Sequence, residues 1–445
     1  MPQPTHPRPG HSSSSARADR RSPRCRLDWR RLEWIGCALA LFILSGALFP
    51  LLLSQDGVLD GGDKSKLRML DMLAYLLTLV FLIRHPGQLL VAAARNRLML
   101  LLIGLPVISV LWSIAPSFTL RRSVALLMSM LLAYLLAIRF SPRQQSLLIA
   151  AVLGPALGLS LLTAVAAPHL AFMPDETAMR GIFVHKNVLG WVSSIAVLIG
   201  IALTQDPVRG LRRGGWFLAA SGFVCVLLSE SVTSLLIACF AVLLFLAYRL
   251  IGNSHGLGRV VLKLVLLQIA VLLALTVFAY LLPLLDALGK DATLTGRVPL
   301  WHLVDPEIAR RPVFGYGYGV FWSEASPTAW RIWEAVGWQA PHAHNGYRDL
   351  MLSIGLPGAV AFGAVIIQSL QRGMVLQCSR PGDGWLWCNL MIGLSLVLNL
   401  SESMILMQND LVWILTSAAV LTVSFRYPAL RPQPSRHHRL STAAA

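Results

Sequence analysis

One polar segment, Leu294–Leu356, interrupts a chain that otherwise consists of successive apolar stretches. It holds several arginines, a glycine-rich run and two closely spaced histidines, His342 and His344. A neutral imidazole can accept a proton near pH 7, and a guanidinium binds phosphate or carboxylate oxygens through paired hydrogen bonds. We therefore expect this segment to carry the chemistry of the protein, on a substrate that the membrane holds.

The composition predicts a membrane protein. Of the 445 residues, 56% are hydrophobic and only 13% are charged, which is far from the balance of a soluble domain. Apolar runs of about twenty residues recur, and each can cross roughly 30 Å of hydrocarbon. We expect an all-α, polytopic membrane helix bundle of about 12 transmembrane helices with one long periplasmic loop. The predicted spans are Leu32–Leu53, Leu67–Ile83, Leu98–Ile114, Ser123–Ile138, Leu147–Ala167, Val188–Thr204, Trp216–Leu228, Thr233–Leu250, Val260–Leu285, Leu350–Gln368, Trp385–Leu400 and Leu411–Phe425.

The distribution of charge predicts the orientation. If the N-terminus is cytoplasmic, most of the 38 Lys and Arg residues fall in cytoplasmic segments, and most of the 21 Asp and Glu residues fall on the other side. The net charge of +17 is then mainly a topology signal, and no nucleic-acid partner is needed to explain it. The predicted divisions are a disordered basic cytoplasmic tail (1–31), nine spans (32–285), a long periplasmic loop (286–349), three spans (350–425) and a cytoplasmic tail (426–445).

A set of motifs follows in a fixed order between Arg121 and Asn409. These motifs are Arg-Gly-Ile-Phe-x-His-Lys-Asn from Arg180, Ser-x-Ser-x-Thr-Ser from Ser229, Gly-Arg-x-x-x-Trp from Gly296, Arg-Pro-x-x-Gly-Tyr-Gly-Tyr-Gly from Arg311, and Ala-His-Asn-Gly-Tyr from Ala343. The ordered set resembles the O-antigen ligase and polymerase family of bacterial inner membranes. Its His-Lys-Asn and Gly-Tyr-Gly-Tyr-Gly forms are most similar to the succinoglycan-type exopolysaccharide polymerases.

The resemblance implies an activity and a location. The family transfers a glycan from undecaprenyl diphosphate to a sugar hydroxyl of an acceptor glycan, on the periplasmic face and without a nucleotide sugar. We therefore expect a multi-pass inner-membrane glycosyltransferase, with both termini cytoplasmic, that polymerises lipid-linked repeat units into exopolysaccharide. Ligation of O-antigen to lipid A-core uses the same chemistry and stays open as the alternative. A chain-length regulator would be a further partner of a polymerase.

The residue types of the motifs suit this chemistry. A diphosphate leaving group needs fixed cations, and Arg180 and Arg297, each beside a glycine, are the predicted donor-binding residues. By its resemblance to the family's catalytic histidine, His344 is predicted to take the proton of the acceptor hydroxyl. Further candidates for substrate binding are Arg121, Arg122, His185, Lys186, Asn345, His342 and Trp301. Structural alternatives stay open: arginines pair with acids, tryptophans anchor at the membrane interface, and His185 could cap the following helix.

Two other kinds of function would depend on different features. A divalent cation could bind the acids of Asp60-Gly-Gly-Asp63, but the resemblance implies metal-independent chemistry, so we expect neither a metal nor a cofactor. A flippase or secondary transporter is expected to place charges or broken helices near the bilayer midplane, often in two similar halves. The predicted helix centres are mostly apolar and the polar residues gather at one face, which favours the transferase.

Overall fold

The computed structural model describes residues 28–47, 65–174, 176–266, 268 and 296–430, together with the backbone of 54–55 and 58–59. Two-residue strands β1 (Ser54–Gln55) and β2 (Val58–Leu59) pair antiparallel, and residues 256–266 are helical. The other helices are α1 (Trp29–Leu44), α2 (Ser65–Leu82), α3 (Pro86–Arg95), α4 (Arg97–Ile108), α5 (Pro116–Arg139), α6 (Pro142–Ala166), α7 (Pro168–Ala171), α8 (Lys186–Leu203), α9 (Arg209–Leu228), α10 (Val232–Asn253), α11 (Arg297–Arg310), α12 (Pro327–Val336), α13 (Gly346–Ser379), α14 (Trp385–Leu398) and α15 (Leu411–Leu430), with short 3₁₀ turns at Ser109–Leu111 and Pro381–Asp383.

The predicted all-α membrane bundle is confirmed. Within the described ranges, seven helices are long and apolar enough to cross a membrane: α5, α6, α8, α9, α10, α13 and α15. Helix α3 and the stretch Arg97–Leu111 together form an eighth candidate, bent by 96°. The predicted first, second and eleventh spans overlap with α1, α2 and α14, although part of the first, residues 48–53, and most of the ninth, Val260–Leu285, lie outside the described residues. The number of twelve spans is therefore not confirmed.

Contacts between helix ends show how the bundle is ordered. At one end, the backbone N–H of Met179 donates to Leu228 O at 2.8 Å, where α9 ends. At the other end, Arg143 at the start of α6 binds Asp206, after α8, with Nε–Oδ2 at 2.6 Å. Consecutive helices thus run in opposite directions, as the alternating topology predicts. The motifs that start at Arg180 and at Ser229 lie at the first end, directly after Met179 and Leu228.

Helix α13 is broken near the end of its first third. The segment Arg311–Gly319, called the glycine-rich loop, packs into the break. Pro357 has no N–H for the carbonyl of Ser353, and Gly355 has a left-handed backbone, with φ 62°. The freed carbonyls accept loop N–H groups instead: Leu352 O binds Tyr316 N at 2.7 Å, and Ser353 O binds Gly317 N at 3.1 Å. Irregular backbone inside a membrane protein is tolerated only where such partners satisfy it.

The connection between α14 and α15 enters the bundle. Asn409 Oδ1 accepts hydrogen bonds from Tyr75 Oη at 2.6 Å and Ser129 Oγ at 2.9 Å, and both donors lie well inside their helices, α2 and α5. Next to it, Asp410 Oδ1 accepts the N–H of Trp413 at 2.7 Å and so caps α15. This connection, residues 399–410, therefore brings polar groups below the helix ends, toward the buried interior.

The break in α13 generates the first prediction. A Cβ at Gly355 would lie 2.1 Å from Val313 O, and its positive φ disfavours any L side chain. Gly355→Ala should therefore lower the free energy of unfolding by at least about 2 kcal/mol. The matched control is Gly363→Ala in the same helix, where a Cβ would meet nothing within 4 Å. Unfolding of the purified protein in detergent, followed by circular dichroism, is the measurement. Equal stability of the two variants would contradict the docking of the glycine-rich loop in the break.

Candidate active site

A buried carboxylate organises the polar end of the bundle. Glu402, in the 399–410 connection, is only 6% exposed. Its Oε1 accepts a hydrogen bond from Arg297 Nη2 at 2.8 Å, and its Oε2 lies 3.6 Å from Nδ1 of His344. Burial by itself raises the pKa of Glu402, but the contact with His344 and the charge of Arg297 outweigh it, so the pKa of Glu402 is lowered. The group is therefore a carboxylate between two basic side chains.

His344 is held by the turn that starts α13. Its backbone lies in the left-handed region, with φ 49°, which is uncommon for a residue with a side chain. Its Nδ1 is buried and makes no hydrogen bond within the described residues, so Glu402 is the acidic group that it faces. With Nδ1 directed at the carboxylate, the opposite nitrogen, Nε2, is the one that can meet a substrate.

Asn345 has a structural role beside His344. Its Oδ1 caps α13 by accepting the N–H of Arg348 at 3.0 Å, and its Nδ2 donates to Leu400 O at 3.0 Å. Its backbone N–H donates to Ser403 Oγ at 3.0 Å. These bonds tie the start of α13 to the 399–410 connection. Asn345 thus fixes the distance between His344 and Glu402.

A second carboxylate, the partly buried Asp349, shapes the histidine turn. Asp349 Oδ1 accepts the indole N–H of Trp322 at 2.7 Å, and Oδ2 accepts the N–H of Ala343 at 2.9 Å and the hydroxyl of Ser403. On the other side of the turn, Trp301 Nε1 donates to Ala343 O at 2.8 Å. The peptide groups between the two histidines are therefore held from α11, α13 and the 399–410 connection. In this structure Trp301 positions the turn.

His342 is kept neutral. Its Nδ1 accepts the backbone N–H of His344 at 3.1 Å, so this nitrogen carries no proton. Burial, with a smaller contribution from electrostatic interaction with the neighbouring His344, lowers the pKa of His342 to about 4. The two imidazole rings lie edge to face, with 4.2 Å between their centroids. His342 and His344 therefore differ in surroundings, and only His344 faces the carboxylate.

His185 and Lys186 lie at the start of α8, and His185 interacts electrostatically with Glu402 of this cluster. His185 caps α8 by accepting the N–H of Asn187 on Nδ1 at 3.1 Å, as the structural alternative proposed, although the helix begins at Lys186. Burial, with the charge of Lys186, lowers the pKa of His185, and the charge of Glu402 opposes this shift. Lys186 itself forms an ion pair with Glu176.

The three remaining arginine candidates lie in different surroundings. Arg180 is 3% exposed, and its Nε donates to Leu170 O at 3.0 Å. In the described part of the chain its guanidinium has no acidic partner within ion-pair distance. Arg121 and Arg122 lie near the start of α5, with Arg121 exposed and Arg122 partly buried. Hence the structure joins Arg297, Trp301, His342, His344 and Asn345 in one cluster and leaves Arg180, Lys186 and Arg121 outside it.

The cluster also meets a simple test for metal ligands. Ligand atoms of His342, His344 and Glu402 lie within 4.8 Å of one another. Arg297 already binds one oxygen of this carboxylate and His342 Nδ1 already accepts an N–H, so a cation that displaced neither would use the other oxygen of Glu402 and Nε2 of His342. Asp60 and Asp63, the acids considered for a metal in the sequence, lie outside the described residues.

Comparison with known proteins places this cluster in a family context. Residues 217–363 match the family model described as O-antigen ligase. Over 273 residues the chain is 29% identical to "Exopolysaccharide production protein ExoQ" of Rhizobium meliloti (strain 1021), and the match covers 58% of this chain and 61% of that protein. The predicted family resemblance is confirmed. The chain is similar to the O-antigen ligase family near the ExoQ branch, over less than two thirds of the relative's length.

Two acidic residues of the cluster, Glu402 and Asp349, were not predicted as site residues from the sequence. The family match includes Arg297, His342 and His344, whereas Glu402 and Arg180 lie outside 217–363. Glu402 was recognisable only as a costly acid between apolar runs, and an ionisable residue in such a place is a candidate for function. Asp349 lies within the family match, but its local sequence carries no sign that it would hold the histidine turn.

The surroundings of His342 generate a prediction for the dependence of stability on pH. An unfolded histidine titrates near pKa 6.5, and this one titrates at about 4 when folded, so the neutral form stabilises the fold. This contribution is fully present above about pH 6.5 and is lost as the pH falls toward about 4. His342→Asn keeps a side-chain acceptor for the N–H of His344 but cannot be protonated. Thermal unfolding from pH 7 to pH 4 should therefore show a smaller loss of Tm for His342→Asn than for the wild type. Parallel Tm curves would show that His342 is not buried as a neutral group.

Proposed function

We propose that this protein is a glycosyltransferase of the inner membrane that polymerises undecaprenyl-diphosphate-linked repeat units into exopolysaccharide at the periplasmic face. The observation that carries the proposal is the contact of His344 with the buried Glu402–Arg297 pair, in a chain similar to an exopolysaccharide production protein. A general base with a fixed orientation beside a site for a diphosphate is what such a transfer needs.

In this proposal His344 is the base. Its Nε2 takes the proton of an acceptor hydroxyl as the oxygen attacks the anomeric carbon of the donor. The bond between that carbon and the diphosphate oxygen breaks, the electron pair leaves with the diphosphate, and the configuration is inverted in one step. The carboxylate of Glu402, 3.6 Å from Nδ1, orients the ring and stabilises the imidazolium that forms.

Arginines neutralise the leaving group. Arg297 donates one N–H to Glu402, and its remaining donors can meet phosphate oxygens. Arg180 donates its Nε to Leu170 O, and no acid of the described residues neutralises its charge. We propose that both bind the donor diphosphate, Arg180 from the loop that also carries His185. A fixed cation at the leaving group contributes mainly in the transition state, where the charge develops.

Ligation of O-antigen to lipid A-core is the second candidate. The family model that matches residues 217–363 is described as O-antigen ligase, and this observation favours it. Base and donor site would act in the same way, and the acceptor alone would differ. The product therefore decides: a ladder of increasing chain length is expected from a polymerase, and transfer of one block onto lipid A-core from a ligase.

The base assignment is tested with the purified protein and a lipid-linked repeat unit, without any nucleotide sugar. His344→Gln should lower turnover by about 10²–10⁴-fold, because glutamine cannot accept the proton. Glu402→Gln keeps the shape of the side chain but removes its negative charge, and should lower turnover by roughly 10²–10⁴-fold. The matched control is His302→Gln, an exposed histidine on α11, which should retain full turnover. Chain growth at the wild-type rate in His344→Gln would refute the base assignment.

The same assay also tests the arginines proposed to bind the donor diphosphate. Arg297→Ala also removes the partner of Glu402, so a loss of activity there would have two causes. Arg180 has no acidic partner among the described residues, and Arg180→Ala is therefore the cleaner test. We expect a loss of about 10²–10³-fold, with poor rescue by lysine because the forked donor geometry is lost. Normal polymer from Arg180→Ala would place the diphosphate elsewhere.

The proposed location generates a prediction of its own. With both termini cytoplasmic, the segment between α11 and α13 is periplasmic and the turn before α14 is cytoplasmic. Gly337 and Gly382 are exposed residues in these two places. Alkaline phosphatase, which is active only in the periplasm, should be active when fused at Gly337 and inactive when fused at Gly382. The reverse pattern would invert the orientation and place His344 on the cytoplasmic side.

A further inference from the structure

One pocket of the structure is lined by His342 but not by Glu402 or Arg297. It is open to solvent and is bounded by α5, the glycine-rich loop, the start of α13 and the 399–410 connection. His342 and Asp349 form its wall toward the proposed base, and Arg122 lies in the wall formed by α5. We call it the Arg122 pocket.

The structure makes room for the guanidinium of Arg122. Gly319 has a positive φ of 68°, and a Cβ there would lie 2.6 Å from Arg122 Cδ and 3.3 Å from Nη1. The guanidinium carbon of Arg122 lies 4.9 Å from the centre of the Phe118 ring, at a distance typical of a cation–π contact. The last glycine of the Gly-Tyr-Gly-Tyr-Gly motif therefore packs against this arginine and would displace it if it carried a side chain.

Among the described residues, Arg122 is a cation without an acidic partner. Within the described ranges no carboxylate lies within ion-pair distance of its guanidinium, in contrast to Arg297 with Glu402, Arg139 with Glu33 and Arg143 with Asp206. A partly buried guanidinium costs free energy unless an anion or several acceptors meet it. The interaction with Phe118 compensates only part of that cost.

The other polar groups of the pocket indicate the size of the anion. Asp349 also lines it, but both of its oxygens are engaged by Trp322, Ala343 and Ser403. The hydroxyl of Tyr318 contacts Leu406 O and also lies 3.0 Å from Oε1 of Gln408, and the amide N–H groups of Gln408 remain as donors. One arginine with neutral donors suits a singly charged group, whereas a diphosphate, with its higher charge, needs more cations.

We propose that the Arg122 pocket is the acceptor subsite and that it selects a sugar carrying a carboxylate, which the Arg122 guanidinium binds through paired hydrogen bonds. This inference rests on the proposed function, because it places the acceptor glycan beside His342 and thus next to His344. The pocket is open to solvent, so a longer glycan chain could extend outward from a sugar bound at Arg122. Arg122 is then a specificity residue, and Gly319 and Phe118 position it.

The test is binding, which needs no turnover. The full-length protein in lipid nanodiscs is titrated by calorimetry with two probes of equal length, a trisaccharide ending in glucuronate and one ending in glucose. The wild type should bind the glucuronate probe about tenfold more tightly, as expected for one charge-assisted contact. Arg122→Gln should bind both probes equally, and Arg122→Lys, which keeps a charge in the pocket, should retain part of the preference. Arg331→Gln, which removes an exposed arginine on α12, should behave as the wild type.

Three outcomes would overturn the inference. The wild type could bind both probes equally, or the preference could survive in Arg122→Gln. Inorganic pyrophosphate could displace the glucuronate probe from the wild type while failing to bind Arg122→Gln, which would assign the pocket to the donor diphosphate. Failure of the proposed function would be a separate result. In that case the wild-type protein would make no polymer in the turnover assay, whereas its preference for the glucuronate probe would be unaffected.

Discussion

The charge of Glu402 is the constraint on which the rest of the candidate site depends. A carboxylate in this position is stable only if cations or hydrogen-bond donors meet it, and removing one partner of a buried ion pair is costly. Arg297 from α11 and His344 from the turn before α13 provide these contacts. The interaction therefore brings three distant parts of the chain to one point, and the same electrostatics that stabilise the carboxylate orient the imidazole.

Irregular backbone surrounds this point, and its polar groups are satisfied locally. The glycine-rich loop donates its N–H groups to carbonyls that the break at Gly355 and Pro357 releases, and the 399–410 connection is capped and bonded from neighbouring helices. Asp349 and Asn345 then hold the histidine turn against this connection. The result is a rigid frame, and a rigid frame keeps a base and its substrate within the narrow distances that proton transfer needs.

The two histidines illustrate how neighbouring residues of one type acquire different roles. Both belong to the same short segment of the chain. The Nδ1 of His342 accepts a backbone N–H, and burial lowers the pKa of this residue to about 4. His344 has a carboxylate at the corresponding atom. A group with so low a pKa is a weak base, and the difference in surroundings therefore supports His344 as the base of the proposed transfer.

The sequence alone determined the class of the protein, the family resemblance and the position of most spans, because length, apolarity and turn residues are local properties of the chain. It also named Arg297 and His344, since each lies in a short motif. It did not determine that His185 is a helix cap, that Asn345 and Trp301 hold the turn, or that Glu402 joins Arg297 to His344. These facts depend on contacts between residues far apart in the chain, such as Arg297 and Glu402. Only the packing of the helices decides which buried charges meet, because a charge in an apolar interior is stabilised by its neighbours in space and not by its neighbours in sequence.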